Sequence, residues 1–278
     1  MKAAVALFIA CALAAQTQFA LRDNGAGLLE LLDADKPALV YNYGMQLKEG
    51  VAERYRRCCY IHPLYAPDGT VLTDDFPRDH YHHRGLSWMW PEVFWEDKQY
   101  DMWVPKDLRA RSIRRTAGGA TLEAENGWFL GEEQAVKEIV RITVHPVKGM
   151  SREIDLLLSF EALDKPVMIR GITPDKKGYG GLSFRFAPRT ETVIRTEHEA
   201  DTKDSDLKPY PWAEMEALFG GKRAGARVTI DPANPGFPNG WCLRHYGFLG
   251  VNYPGLTGHT LEKGKPLVLK YRVTVFAR

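Results

Sequence analysis

The stretch Glu-Ile-Asp-Leu-Leu-Leu-Ser-Phe-Glu-Ala, residues 153–162, alternates apolar and polar side chains over most of its length. The apolar positions that would share one face are Ile154, Leu156, Leu158, Phe160 and Ala162. A period of two with one apolar face is what a half-buried β-strand requires. The same pattern recurs at residues 136–144 and 267–275, so these three segments predict strands of one fold class.

Further strand candidates lie between Gly, Pro and Asp turn signals. They are Ala38–Gly44, Tyr55–His62, His82–Trp90, Ala120–Gly127, Leu182–Phe186, Arg189–Glu197, Arg227–Ile230 and Trp241–Gly250. Helical patterns are scarce, and only Pro211–Phe219 predicts a helix, of two turns, because a Pro stands at its start and Gly220-Gly221 follow it. Many short strands without intervening helices predict an all-β fold, a large antiparallel β-sandwich, with residues 16–278 forming a single domain.

The first fifteen residues predict a secretory signal peptide. Lys2 precedes an apolar run, Ala3–Ala15, that is too short to cross a hydrocarbon core of about 30 Å and ends in small residues. A lipid anchor on Cys11 is the alternative. Later segments fall short of the roughly 18 apolar residues that a membrane helix needs, so no membrane span is predicted. We therefore expect a mature chain that starts near residue 16 and is periplasmic or secreted.

The charge balance excludes several classes of partner. The 278 residues hold 37 Lys and Arg against 35 Asp and Glu, a formal net charge of +2, which offers no polybasic field for nucleic acid. The glycine turn at residues 179–185 lacks the strand-to-helix context of a nucleotide loop, so no nucleotide cofactor is predicted. Cys58, Cys59 and Cys242 are too few for a disulfide framework, although one of the first two could pair with Cys242.

The densest group of reactive side chains lies at residues 73–85, Thr-Asp-Asp-Phe-Pro-Arg-Asp-His-Tyr-His-His-Arg-Gly. If this backbone is extended, His80 and His82 project to one face. Such a pair can chelate one divalent metal ion, with His62 or His245 as a third ligand. The segment therefore predicts a possible metal site at His80 and His82.

A metal-free interpretation of the same segment is also open. A histidine with a pKa near neutral can pass protons, while Arg84 holds an anionic or carbonyl oxygen. In this interpretation His80, His82, His83 and Arg84 are the candidate catalytic residues. A purely structural network of hydrogen-bonded histidines is the third interpretation.

A second polar segment, residues 234–247, combines a Pro- and Gly-rich loop with Trp241, Arg244 and His245. An indole can stack on the C–H face of a sugar ring while a guanidinium meets its hydroxyl groups. A core Trp beside a surface Arg is the alternative. The candidate substrate-binding residues are His62, Tyr179, Asn234, Trp241, Arg244 and His245.

These motifs resemble a family of exported bacterial proteins called PmoA-like. The resemblance rests on Tyr60–Gly69, Asp74–Pro77, Asp79–Leu86, Gly178–Leu182, Pro211–Ala213 and Asn234–Gly247. Asp231 departs from the pattern, which has a His there. The resemblance implies a role in sugar catabolism, and the strand-rich pattern is similar to galactose-mutarotase-like supersandwiches.

The sequence thus predicts a carbohydrate-active protein whose concave sheet face binds a small carbohydrate. The first hypothesis is an enzyme, a lyase, epimerase or hydrolase, that acts on a sugar or keto-sugar through the His and Arg cluster. A non-catalytic carbohydrate-binding module is the second. A metal-dependent oxidase, suggested by the PmoA-like label and the H-x-H spacing, is the third. No oligomeric state is predicted.

Overall fold

The computed structural model describes residues 19–278, so the predicted signal peptide lies outside the described residues. This part of the chain is built from 21 β-strands and one short 3-10 turn, Glu53–Tyr55. In chain order the strands are β1 Phe19–Asp23, β2 Leu28–Asp33, β3 Lys36–Asn42, β4 Tyr60–Leu64, β5 Leu86–Met89, β6 Glu92–Trp95, β7 Lys98–Tyr100, β8 Leu108–Gly118, β9 Thr121–Leu130, β10 Glu133–Val144, β11 Ser151–Ala162, β12 Val167–Arg170, β13 Gly181–Arg185, β14 Thr190–Thr196, β15 Ser205–Pro209, β16 Trp212–Phe219, β17 Lys222–Ile230, β18 Gly240–Arg244, β19 Phe248–Asn252, β20 His259–Leu261 and β21 Leu267–Ala277.

The strands form three antiparallel sheets. A nine-stranded sheet has the order β1-β2-β3-β4-β5-β13-β19-β18-β15, and an eight-stranded sheet has the order β14-β16-β17-β21-β11-β10-β9-β8. A four-stranded sheet, β20-β12-β6-β7, completes the fold. The buried side chains of all three sheets form one contiguous hydrophobic core. The predicted all-β antiparallel sandwich is confirmed.

The three segments with the clearest alternation lie side by side in the eight-stranded sheet. Val140 of β10 pairs with Leu158 of β11, which pairs with Leu269 of β21. Along β11 every second residue is buried, as residues 153–162 predicted. The apolar faces of these strands therefore supply one wall of the core.

Polar bonds between the two large sheets show that they pack face to face. The indole of Trp88 in β5 donates to Glu138 of β10 at 3.0 Å, and Arg152 of β11 donates to Asp33 of β2 at 2.7 Å. Asn126 of β9 also donates to Glu138, at 2.8 Å. Because each of these buried groups has a partner on the opposite sheet or beside it, the bonds fix how the two sheets align.

The predicted helix at Pro211–Phe219 is wrong, since residues 212–219 form β16 between β14 and β17. Ala213, Met215 and Ala217 face the core, whereas Glu214 and Glu216 pair with arginines on the other face. This is a period of two. Gly220 and Gly221 both have positive φ and form the hairpin turn to β17, so the glycines end a strand and not a helix.

Two predicted strand boundaries near the reactive segment are also wrong. Strand β4 begins at Tyr60, because the 3-10 turn Glu53–Tyr55 precedes it, and β5 begins at Leu86 rather than at His82. The predicted strand Trp241–Gly250 is two strands, β18 and β19, joined by a turn at residues 245–247. The three histidines His80, His82 and His83, like Tyr246, therefore lie in loops at strand ends.

Cys58, Cys59 and Cys242 are buried free thiols. The sulfur atoms of Cys58 and Cys59 lie 3.2 Å apart, so each has the other as its neighbour, and a bridge to Cys242 is not formed.

Within residues 19–278 no helix combines the length and the apolar character that a membrane crossing needs.

The alternation in β11 allows a matched test of the core. Leu156 is buried against the opposite sheet, and Leu157 lies on the other face of the same strand. Leu156→Ala should lower the free energy of unfolding by about 2–5 kcal/mol, because it leaves a cavity. Leu157→Ala should cost less than half as much. Urea denaturation followed by circular dichroism measures both, and equal losses would contradict the assignment of faces.

Candidate functional site

The reactive segment is the loop between β4 and β5, and backbone bonds fix both its ends. Asp74 N donates to Arg185 O at 3.0 Å, Gly85 N donates to Asp74 O at 2.9 Å, and Arg185 N donates to Gly85 O at 2.8 Å. A Cβ at Gly85 would lie 2.1 Å from the carbonyl oxygen of Ile61, so only glycine fits this close approach. The loop is thereby anchored to β4 and β13.

Between these anchors the backbone turns twice. His80 N donates to Pro77 O at 3.0 Å, and His83 N donates to His80 O at 2.9 Å. The extended backbone on which the His80 and His82 pairing was predicted is therefore wrong. The turns nevertheless bring all three imidazoles together.

Four aromatic rings stack in a row from the surface into the core. Tyr246 lies on His80 with ring centroids 5.2 Å apart, His80 lies on His83 at 4.6 Å, and His83 lies on Phe248 at 4.9 Å. Tyr246 is 42% exposed, whereas Phe248 is buried. The stack thus connects an exposed ring to the sandwich core through two histidines.

His82 stands across this stack. Its ring is nearly perpendicular to those of His80 and His83, with centroids at 5.5 and 4.6 Å. It also contacts Trp103 at 5.4 Å, and Trp103 contacts Tyr179 at 5.3 Å. We call His80, His82, His83, Trp103, Tyr179, Tyr246 and Phe248 the ring cluster.

Three arginines with little exposure surround the ring cluster: Arg57, Arg84 and Arg185. Arg57 donates to the carbonyl oxygens of His82 and Trp103, both at 3.3 Å. Burial, together with the positive charges nearby, lowers the pKa of His82 to about 3 and holds the pKa of His83 well below its usual value. Both imidazoles are therefore neutral at neutral pH and can donate or accept hydrogen bonds without carrying charge.

Arg84 is not placed to meet a ligand, contrary to the prediction. Its side chain is 1% exposed, and it donates to the carbonyl oxygens of Tyr81 at 2.6 Å, His83 at 2.9 Å and Tyr55. Asp75 supplies the opposite charge at 3.4 Å, and the guanidinium stacks on Phe76. The guanidinium therefore holds the loop together from inside.

His80 makes a contact that the other two histidines lack. Its Nδ1 lies 2.9 Å from Oδ2 of Asp79, and Nη2 of Arg185 donates to both oxygens of that carboxylate, at 2.8 and 2.9 Å. When Nδ1 carries the proton that Asp79 accepts, Nε2 bears the lone pair. Asp79, His80 and Arg185 thus form a chain in which a carboxylate orients an imidazole and an arginine orients the carboxylate.

Two of the predicted substrate-binding residues are structural. Trp241 is fully buried and donates from its indole to Tyr210 O at 2.7 Å, so it cannot stack on a sugar. Asn234 is buried and exchanges two hydrogen bonds with the backbone of Lys270, at 2.9 and 2.8 Å. Their residue types suited a sugar site, but both side chains belong to the packing of the sandwich.

Three other predicted residues have protein partners. Nδ1 of His62 lies 3.0 Å from the hydroxyl of Thr73, and burial lowers the pKa of His62 to about 4. Arg244 donates to Asp206 at 2.6 Å, and Nδ1 of His245 lies 2.6 Å from Asp204. Neither His62 nor His245 stands beside His80 and His82 as a third ligand, and within residues 19–278 no three His, Cys, Asp or Glu side chains are arranged to hold a metal ion.

An open cleft of about 560 Å³ lies beside the ring cluster. Its walls include Lys48, Asp79, Arg185, Arg189, His245 and Tyr246. The pairing of β5, β13, β19 and β18 brings these residues to one place. Leu86 pairs with Phe184, Arg185 pairs with Phe248, and Phe248 pairs with Arg244. The ends of four neighbouring strands therefore meet at one end of the nine-stranded sheet. Of the wall residues, His245 was predicted from the sequence, whereas Arg185 and Arg189 were not. Trp103, which lies in the ring cluster, was not predicted either.

Comparison with known proteins places residues 29–278 in one family. They match the family described as "Family of unknown function (DUF6807)". No curated protein matches the chain. Among solved structures, heparan sulfate lyase HepC from Pedobacter heparinus and a mutant of it are similar, each at a TM-score of 0.46 and 9% identity. The similarity covers 91% of this chain and 36% of each of those chains, so this chain spans about a third of their length.

Buried Arg84 and exposed Arg78 lie in the same loop and provide a matched pair for stability. Arg84→Ala should lower the free energy of unfolding by about 3–5 kcal/mol, because it leaves Asp75 and three carbonyl groups without their charged partner. Arg78→Ala should stay within about 0.5 kcal/mol of the wild type. Chemical denaturation measures both changes. A small loss for Arg84→Ala would show that the loop does not depend on this guanidinium.

The depressed pKa of His83 predicts how stability depends on pH. Because the unfolded chain binds a proton near pH 6.5 and the folded imidazole does not, stability present above pH 6.5 should be lost as the pH falls towards 4. Burial raises the pKa of Asp75 to about 6, which opposes this loss over part of the range. His83→Phe should reduce the slope by roughly 1.4 kcal/mol per pH unit while Asp75 is unchanged.

Denaturation at half-unit steps between pH 7 and 4 measures this slope. His198→Phe is the control, because His198 is 70% exposed, and it should leave the slope as it is. If His83→Phe and His198→Phe behave alike, His83 takes up its proton in the folded state.

Proposed function

We propose a function from the geometry of the site, because the chain belongs to DUF6807, a family of unknown function. The cleft binds a carbohydrate, and His80 transfers a proton to or from the bound sugar or keto-sugar. The reaction is that of a lyase, epimerase or hydrolase, all of which need such a transfer. Tyr246, the member of the ring cluster that lines the cleft, supplies the surface against which the sugar is held.

The pairing of Asp79 with His80 carries this proposal. A carboxylate on one imidazole nitrogen fixes the tautomer and stabilises the imidazolium that forms when the other nitrogen takes a proton. Here Arg185 also fixes the carboxylate, through two contacts of 2.8 and 2.9 Å. An imidazole held in this way at an accessible position is suited to general acid–base catalysis, and His80 retains 37% of its side-chain exposure.

The neighbouring groups suit a sugar. The exposed ring of Tyr246 offers an apolar face for the C–H side of a pyranose. Neutral His82 offers one donor and one acceptor for hydroxyl groups. The hydroxyl of Tyr179 stays protonated, because burial raises its pKa. These are weak, directional contacts of the kind that position the hydroxyl groups of a sugar.

The resemblance to PmoA-like proteins supports a role in sugar catabolism. We propose that the role is carried out in the periplasm or outside the cell, after removal of the segment that residues 1–15 predict as a signal peptide. Mass spectrometry of the exported protein tests this location, since the mature chain should begin near residue 16.

Product formation is the direct test of catalysis. Purified protein is incubated with a panel of oligosaccharides and 3-keto sugars, and products are detected by mass spectrometry and NMR. His80→Gln should reduce turnover by about a hundredfold or more, because it removes the proton-transferring group. Asp79→Asn should also reduce turnover, since it no longer favours the correct tautomer. His80→Gln should keep the thermal midpoint within a few degrees, because its side chain is partly exposed. Asp79→Asn also takes the charged partner from buried Arg185, so its turnover is compared only after its thermal midpoint shows that it is folded.

The chain offers a close control in His145. Its Nε2 lies 2.7 Å from Asp155, and its side chain is 36% exposed, but it lies beside the eight-stranded sheet. His145→Gln should leave turnover unchanged. Binding without product would identify a non-catalytic carbohydrate-binding module instead. Turnover that a chelator abolishes and one added divalent metal restores would identify the metal-dependent alternative.

A further inference from the structure

We infer that the carbohydrate carries an anionic group, and that the cationic wall of the cleft, formed by Lys48, Arg78, Arg185 and Arg189, receives it. The inference rests on the proposed function and extends it from sugars in general to acidic sugars. The group is an oxyanion with two or more equivalent oxygens, either the carboxylate of a sugar acid or a sulfate ester. Charge and unmet hydrogen-bonding capacity in the cleft both point to it.

The cationic wall has more positive charge than its carboxylates offset. Asp74 and Asp79 are the acidic side chains that line the cleft. Asp79 is already shared between Arg185 and His80, so two carboxylates face the four cationic side chains of the wall. Lys48, Arg78 and Arg189 make no ion pair with any residue in the range 19–278, although ion pairs are frequent elsewhere on the chain. A neutral ligand would leave this excess charge without a partner.

Unused donors lie in the same wall. Arg185 is 6% exposed, and its Nε and Nη1 have no acceptor within the described chain; the same holds for Nε of Arg189. The other nitrogens of Arg189 donate to the carbonyl oxygens of Ala187 and His245, both at 2.9 Å. A buried charged donor without an acceptor is costly, so its occurrence calls for a partner. Buried Arg84 and Arg152 each have one such nitrogen as well, but within residues 19–278 three of them lie together in two arginines that line one cleft, and this concentration indicates where the partner binds.

An oxyanion matches these donors better than a hydroxyl does. A guanidinium presents parallel N–H groups that a carboxylate or a sulfate accepts in pairs, whereas a sugar hydroxyl accepts through one oxygen. Both residues line the cleft, so an oxyanion bound there lies next to these two guanidinium groups. Arg185 keeps its contact with Asp79 through Nη2, which is a separate nitrogen.

The position of the wall fits an anionic substituent on a stacked sugar. The guanidinium of Arg185 lies 5.0 Å from the ring centroid of Tyr246, the exposed ring proposed to support the sugar. A carboxylate or sulfate on that sugar would therefore lie beside Arg185 while the ring remains on Tyr246. The substrate class is then an acidic saccharide, and neutral saccharides bind less tightly.

Binding of matched saccharides tests the inference. Isothermal calorimetry is run with α-1,4-linked digalacturonate, with the corresponding galactose disaccharide and with galactose 6-sulfate, and the first and third distinguish the two sources of the anion. At least one acidic ligand should bind about tenfold or more tightly than the neutral disaccharide. Its affinity should fall as salt is raised, because the wall is partly exposed.

Lys48 and Arg78 are the residues to vary, because both are exposed and can be changed without disturbing the fold. Lys48→Ala and Arg78→Ala should each weaken the acidic ligand about fivefold and leave the neutral one unchanged. Lys263→Ala is the control: it removes an exposed lysine from a different loop and should change neither affinity.

The outcomes separate this inference from the proposed function. Equal binding of acidic and neutral saccharides, or equal behaviour of Lys48→Ala and Lys263→Ala, overturns the anion site and leaves the carbohydrate function standing. If no saccharide binds, sodium sulfate alone is titrated. Sulfate binding that Lys48→Ala weakens supports the anion site while the carbohydrate function fails, and absence of sulfate binding overturns the site as well.

Discussion

The buried guanidinium of Arg84 determines the shape of the loop that carries the histidines. A charge removed from water must find acceptors, and here the carbonyl oxygens of Tyr55, Tyr81 and His83 converge on it, with Asp75 as the counter-charge. Tyr81 and His83 can both present their carbonyls to Arg84 only if the chain turns between them and the start of β5. Those turns bring the three imidazoles within stacking distance. The geometry of the site thus follows from satisfying one buried charge.

The same burial gives three neighbouring histidines different chemistry. His82 and His83 lie among arginines and aromatic rings, where a second positive charge is unfavourable, so they are held neutral. His80 lies at the outer part of the stack and has Asp79 beside it, a negative charge that the other two lack. One loop therefore provides two uncharged polar rings and one imidazole prepared for proton transfer. A similar division by environment allows identical side chains to take different roles in one site.

The residues differ in how far the sequence alone could predict them. Burial of alternate residues is a local property, so β10, β11 and β21 were predictable from their own side chains. Pro211 and Gly220-Gly221 led to the wrong prediction of a helix. A proline before a segment and glycines after it are found around helices and also around the strands of a hairpin. Only the pairing of β16 with β17 shows that this segment is a strand. The high density of histidines identified the loop at residues 73–85. Arg185 and Trp103 are distant from it in sequence, and only the pairing of strands and the path of the chain bring them to it, so they could not be predicted. Trp241 was predicted to bind a sugar but lies in the core, because the residue type alone does not show whether an indole is buried or is exposed to stack on a ligand.

Arg185 belongs both to the chain of contacts with Asp79 and His80 and to the cationic wall of the cleft. Its Nη2 holds both oxygens of Asp79 and so orients His80, whereas its Nε and Nη1 have no acceptor within residues 19–278. Because these are different nitrogens of one rigid, planar group, binding an anion does not require release of Asp79. Instead, a bound anion would restrict the guanidinium and with it the carboxylate that orients the imidazole. The group that recognises the substrate would then also fix the geometry of the group that acts on it, which favours turnover of ligands that carry the anion.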